Sequence, residues 1–276
     1  MCRWVAYSGN AIRPAALLYD TPHSLVEQSR RDRLAGGYPN ADGFGLGWYG
    51  DDEAPGLYRS IAPAWGDRNL HEIATRISTP LFLAHIRAAT GTPIEQTNCH
   101  PFRHGRWLFM HNGFIEDYQR LRRDLLLAVD PRYFGGIEGT TDSELMFHLA
   151  LTYGLEDDPV AAVSRTIGLI EAVGSKHGVE YPMQGTVCTT DGTSTWAFRY
   201  SSEGNSRSLF FSTDVRALRE LHPEIEILHE VDDEARLIVS EPLGDLAGAW
   251  NEVPESSYGI VQPGQDVLEP FTPVRP

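Results

Sequence analysis

Period-two apolar patterning at both ends of the chain, period-3.6 patterning through its middle, and the lack of any internal repeat or linker-like stretch predict one α+β or layered α/β domain. The first and last strands are expected to share sheets. At 276 residues the chain is long enough to bury a core without disulfide staples.

Cys2 to Ser8 alternates under high β propensity and reads as the first strand. Thr21 followed by Pro22 places an N-cap before a proline, so a helix is expected from His23 to about Arg33, ending at Gly36 and Gly37. Residues 40–50, NADGFGLGWYG, interleave glycines with Phe44, Leu46, Trp48 and Tyr49, the pattern of a loop entering a tightly packed strand. Leu57 to Ile61 is its expected hairpin mate. Asn69 to Ile77 carries Leu70, Ile73, Ala74 and Ile77 at helical spacing, and Pro80 bars continuation. Leu81 to Arg87 and Arg106 to His111 are short apolar runs that read as core strands, each delivering polar residues at its C-terminal end.

Three helices follow: Asp117 to Val129, Asp142 to Tyr153, and Pro159 to about Lys176, the last stopped by Gly178. Strands are then expected at Thr186 to Thr190, Ser194 to Tyr200, Leu209 to Ser212 and Arg236 to Val239. The tail after Trp250, with Pro254, Pro263, Pro270, Pro273 and Pro276, reads as extended or frayed chain.

Composition excludes several function classes. Lys+Arg 23 against Asp+Glu 38 gives a net charge of −15, which repels nucleic acid and anionic membranes. Leu125 to Val129, among the longest apolar runs, falls well short of the roughly 20 residues of a membrane span, and the N-terminus lacks the apolar segment of a secretory signal. Three scattered cysteines suit a reducing compartment, so a cytoplasmic location is expected. His85, His100, His104 and His111 cluster with Cys99, but their spacings match no familiar zinc site; neither metal nor cofactor is expected.

Cys2, directly behind Met1, is the unusual feature. If Met1 is removed, the freed α-amine, with a pKa of about 7.7–8.0, can take the thiol proton and activate Cys2 as a nucleophile. The alternative is a small buried residue at a strand start. Asn112 and Gly113 close an apolar strand, where a side-chain amide and a backbone N–H can converge as an oxyanion hole, or else form a hairpin turn. Arg87, followed by Thr90, can grip a carboxylate with its guanidinium fork or serve in an ion pair. Thr141 to Glu144 reads as a capping box, and Asp142 beside the cap can hold an ammonium group or simply favour the helix N-terminus. Together these describe one substrate: a carboxylate for Arg87, an ammonium for Asp142, and a carbonyl between Cys2 and Asn112–Gly113. An α-amino acid with a side-chain amide satisfies all three.

Cys2, 85-HIRAATG-91, 98-NCHPF-102, 111-HNG-113 and 141-TDSE-144, in this order, resemble the glutaminase domain of class II glutamine amidotransferases, which are N-terminal nucleophile hydrolases. The resemblance implies a four-layer αββα sandwich, with Cys2 as nucleophile, Asn112 and Gly113 as oxyanion hole, Arg87 and Thr90 at the glutamine carboxylate, and Asp142 at the α-ammonium. Its motifs lie in residues 2–150, and 151–276 are expected to complete the sandwich, giving one domain over 2–276. The chain departs from many members in carrying 40-NADGFG-45 where they have an HRG-type glutamine loop, and it has no room for an appended acceptor module. It looks closer to stand-alone members that hydrolyse γ-glutamyl amides. The partners implied are a small γ-glutamyl substrate and, in a second reading, a synthetase or peptidase chain that switches on an ammonia-donating subunit; a homo-oligomer is also open.

Overall fold

The computed structural model describes residues 2–30, 39–89, 91–264 and 266–276. Its strands are β1 (Arg3–Ile12), β2 (Phe44–Trp48), β3 (Gly56–Ser60), β4 (Thr79–Ile86), β5 (Phe102–His104), β6 (Trp107–Ile115), β7 (Met183–Thr190), β8 (Thr195–Ser201), β9 (Phe210–Ser212), β10 (Arg236–Val239), β11 (Trp250–Glu252), β12 (Ser257–Val261) and β13 (Val267–Pro270). The helices are α1 (Ala15–Leu18), α2 (Leu25–Arg30), α3 (Arg68–Arg76), α4 (Tyr118–Leu127), α5 (Pro131–Phe134), α6 (Asp142–Thr152), α7 (Pro159–Lys176), α8 (Val215–Leu221) and α9 (Glu226–Glu230).

The strands form two antiparallel sheets, one ordered β11-β9-β10-β1-β4-β2-β3 and the other β13-β12-β8-β7-β6-β5. Strand alternation sorts the apolar residues into layers. Trp4, Ala6, Leu81 and Leu83 of the first sheet meet Leu108, Met110, Cys188 and Ala197 of the second in a buried core between the sheets. On the outer face of the first sheet, Val5, Tyr7, Phe82 and Ala84 pack with α1, α2 and α3. Phe109, Val187 and Phe198 pack outward from the second sheet with α4, α6 and α7. The result is the αββα sandwich. Residues Ser143 to Leu151 of α6 are all buried, so this helix lacks a solvated face. Inside that core a hydrogen bond crosses from one sheet to the other, from Trp4 Nε1 to Thr186 Oγ1 at 3.2 Å, and satisfies both polar groups.

Besides adding short elements such as α1, β5 and α8, the chain differs from its sequence reading in three of the expected elements. The helix expected from His23 begins at Leu25, with Ser24 rather than Thr21 as its cap: Ser24 Oγ accepts from the Glu27 N–H at 3.3 Å. His23 is withdrawn from the helix because its backbone N–H bonds Leu243 O at 3.1 Å and its ring bonds Glu241 at 2.9 Å. Its expected C-terminal end, residues 31–38, lies outside the described residues. The strand expected to stop at His111 runs on to Ile115, so Asn112 and Gly113 are paired with Thr186 and Gly185 and form no turn. The tail supplies three strands rather than frayed chain. Ser257, Gly259 and Val261 alternate inward as β12 adds to β8, while Pro254 and Pro263 fall between strands and Pro270 ends the edge strand β13.

Among the described residues no helix is long and apolar enough to cross a membrane. Leu83, fully buried between the sheets, tests the intersheet core: Leu83→Ala should destabilise the fold by about 2–5 kcal/mol, read as a lower urea midpoint at an unchanged m-value.

Candidate active site

Backbone register brings the predicted polar residues together. In the antiparallel β1–β4 pair Arg3 lies opposite Ile86, so Cys2, just before β1, and Arg87, just after β4, leave the sheet side by side. The Cys2 Sγ accepts from the Ala88 N–H at 3.4 Å and lies 3.6 Å from the Ala88 carbonyl oxygen. Burial pushes the thiol pKa up, while the Ala88 N–H and the Arg87 cation pull it back. From the second sheet β6 presents Asn112 and Gly113, and α6 begins at Asp142. Cys2, Arg87, Asn112, Gly113 and Asp142 line one cavity of about 700 Å³. Thr90 lies outside the described residues.

Each side chain is held by specific contacts. Arg87 is buried, and its Nη2 donates to Thr92 Oγ1 at 2.7 Å and Pro93 O at 3.0 Å, its Nη1 to Asp42 O at 3.4 Å. These acceptors are all neutral oxygens. Asp142 is oriented by the Ile115 and Ser143 N–H groups, both at 2.8 Å. Thr141 caps α6 by accepting from the Glu144 N–H at 3.2 Å. The reciprocal half of the capping box is absent, because the Glu144 carboxylate accepts instead from Glu138 N at 2.9 Å and Gly139 N at 2.7 Å. Asn112 is buried to 4 % exposure, and its amide bonds no other described side chain.

Gly113 permits a close approach that no other residue would: a Cβ there would sit 2.0 Å from Gln184 O. Likewise, a Cβ on Gly45 would meet His100 O at 2.1 Å and one on Gly47 would meet Leu108 Cδ1 at 2.7 Å, so these two glycines serve close packing.

A model of class-II glutamine amidotransferases matches residues 16–270. The chain belongs to that family. It is a glutamine amidotransferase-like amidohydrolase of C–N bonds. It is 33 % identical to the probable glutamine amidotransferase DUG3 of Saccharomyces cerevisiae over 98 % of this chain and 84 % of the yeast one. It is 34 % identical to the gamma-glutamyl-hercynylcysteine sulfoxide hydrolase of Mycolicibacterium smegmatis over 62 % of this chain and 70 % of that one. Among solved structures, a class-II glutamine aminotransferase domain protein from Silicibacter pomeroyi matches with a TM-score of 0.74 and 30 % identity, covering 99 % of this chain and 100 % of the other.

Several residues of this amidotransferase site were not singled out from sequence. Asp42 accepts the Ala89 N–H at 2.8 Å through its carboxylate and Arg87 through its carbonyl. Asn98, fully buried, donates to Pro93 O at 3.0 Å and accepts the Thr140 N–H at 2.8 Å, bracing the Arg87 loop against the start of α6. Ser143 Oγ bridges His111 Nδ1 at 2.9 Å and Asp142 Oδ1 at 3.3 Å. The only signals were the NADGFG, NCHPF and TDSE wordings themselves.

The histidines behave differently from one another. His111 bonds Ser143, whereas the His85 ring lies tilted against His100 at 4.1 Å and, among the described residues, neither of its ring nitrogens has a hydrogen-bond partner. Cys99 and Cys188 are both fully buried. Among the described residues no group of three His, Cys, Asp or Glu side chains is arranged to hold a metal.

Burial holds His85 neutral, with its pKa lowered to about 3, lowers His148 to about 4, and lowers His100 and His111 as well. The unfolded chain binds these protons near pH 6.5 and the folded chain does not. Stability is therefore full above pH 6.5 and falls as pH drops toward 4, by up to about 1.4 kcal/mol per pH unit for each such histidine. Denaturation midpoints measured from pH 7.5 to 4.5 check this. A Gly113→Ala variant should lower the midpoint at every pH, because its Cβ collides with Gln184 O.

Proposed function

We propose that this amidohydrolase cleaves the γ-amide of glutamine or of a γ-glutamyl compound through a thioester on Cys2. The observation that carries the reading is the shared cavity of Cys2, Arg87, Asn112, Gly113 and Asp142. Once Met1 is removed, the Cys2 α-amine takes the thiol proton and the thiolate attacks the γ-carbonyl carbon. The oxygen of the tetrahedral intermediate accepts from the Asn112 amide and the Gly113 N–H. As the C–N bond breaks, the α-ammonium returns its proton to the leaving amine. Water, deprotonated by the same amine, then cleaves the thioester and releases the γ-carboxylate. Arg87, with Thr90, holds the substrate α-carboxylate and Asp142 its α-ammonium.

The sequence likeness to the mycobacterial γ-glutamyl hydrolase supports a γ-glutamyl substrate beyond glutamine, and the cavity of about 700 Å³ has room for a substituent on the amide nitrogen. Strands after residue 151 enter both sheets, which supports a single catalytic domain over 2–276. The cytoplasm is the proposed location, on the free thiols alone.

Intact-mass measurement should show a chain lacking Met1, and that chain should hydrolyse at least one member of a panel of glutamine, glutathione and other γ-glutamyl amides. Cys2→Ala should abolish turnover; retained activity overturns the mechanism. Asn112→Ala should lower kcat by about 10²–10³, whereas Asp142→Asn and Arg87→Lys should act mainly by raising KM. Negligible activity of the isolated chain, restored by a co-purifying synthetase or peptidase, would instead identify a subunit that works only with its partner.

A further inference from the structure

Cys2 has no partner in either neighbouring strand: β1 begins at Arg3, whose last registered pair is with Ile86. A residue at the very end of a processed chain and outside the ladder frays unless something ties it down. Here the tie is the side chain of the next residue. Arg3 Nη1 donates to the Cys2 carbonyl oxygen at 2.9 Å, and Arg3 Nε donates to Glu241 Oε2 at 2.6 Å. Both side chains are almost fully buried, at 3 % and 6 % exposure. The second carboxylate oxygen, Oε1, lies 2.9 Å from His23 Nε2, and the Glu241 carbonyl accepts from Gln28 Nε2 at 3.4 Å. Beside them the backbones are zipped together, Trp4 N to Ser240 Oγ at 2.9 Å and Ser240 N to Trp4 O at 3.1 Å.

A buried carboxylate–guanidinium pair is weak evidence of stability, since well-packed apolar residues often serve as well. Its geometry is informative instead. The guanidinium is planar, so fixing its Nε edge on Glu241 fixes where Nη1 points. We propose that Glu241, held by His23, is a positioning residue that acts through Arg3 to hold the Cys2 backbone, and hence its amine and thiol, in the attacking arrangement. This rests on the reading of Cys2 as nucleophile.

The test compares wild type with Glu241→Gln, Arg3→Met and Arg3→Lys, each confirmed free of Met1 by intact mass. Two readouts are taken: hydrolysis of a γ-glutamyl amide, and the pH profile of Cys2 alkylation by iodoacetamide followed by peptide mass spectrometry. Glu241→Gln and Arg3→Met should lower kcat about ten- to hundred-fold, as misplacement of a reacting group does, with KM within about two-fold of wild type. Both should also alter the alkylation profile. Arg3→Lys keeps a cation against Glu241 but loses the fork; it should retain the fold and still lose kcat, which keeps the test decisive if Glu241→Gln does not fold. Folded variants whose kcat and alkylation profile match wild type, with only a lower denaturation midpoint, overturn the proposal. If Cys2→Ala retains full activity, the nucleophile reading falls, and the alkylation profiles still decide whether the clamp holds Cys2.

Discussion

The register of β1 against β4 is the constraint on which the site depends. Pairing Arg3 with Ile86 puts the residue before one strand beside the residue after the other, so a thiol and a guanidinium far apart in sequence meet at one sheet end. A slip by one residue would turn Trp4 and Ala6 out of the intersheet core and Val5 and Tyr7 into it. The core therefore enforces the site: the burial that holds Trp4 between the sheets also determines where Cys2 stands.

The second sheet and the helix behind it supply the other half. Asn112 and Gly113 sit within the β6–β7 ladder rather than on a loop, so their placement is inherited from eight consecutive cross-strand pairs, Leu108 to Ile115. Asp142 is held at the start of a helix buried on all sides, and its carboxylate is tied to Ile115 of the same strand. The proposed donors for a developing negative oxygen and the proposed acceptor for a cation are thus carried on rigid elements, which suits preorganised electrostatics.

Much of this was legible in the sequence where local rules and tertiary packing agree. The strand beginning near Cys2, the hairpin over 44–60 and the helix from Pro159 to Lys176 follow from alternation, glycine spacing and caps, and all three stand in the fold. The candidate site residues stood out for different local reasons: Cys2 follows Met1 directly, Arg87 and Asn112–Gly113 follow apolar runs, and Asp142 sits beside a helix cap. What was hidden depends on partners distant in the chain. His23 is pulled out of its expected helix by Glu241 and Leu243; β6 outruns its apolar run because β7 offers a ladder; and β12 is stabilised by β8 despite the surrounding prolines. Asp42, Asn98 and Glu241 likewise bond partners distant in the chain, whereas helix α8 follows a local signal, the Asp214 cap, that the sequence reading passed over.

The Asn98 brace carries a stereochemical consequence. By bonding Pro93 on one side and Thr140 on the other, it sets the separation between Arg87, which itself bonds Pro93, and Asp142, two residues beyond Thr140. With the proposed roles, those two residues and the Cys2–Asn112 pair are three fixed points around a single tetrahedral carbon bearing a carboxylate, an ammonium and the amide-bearing arm. Only one mirror image of that carbon can satisfy all three at once. The fold would then distinguish left- from right-handed amino acids with no residue devoted to the task.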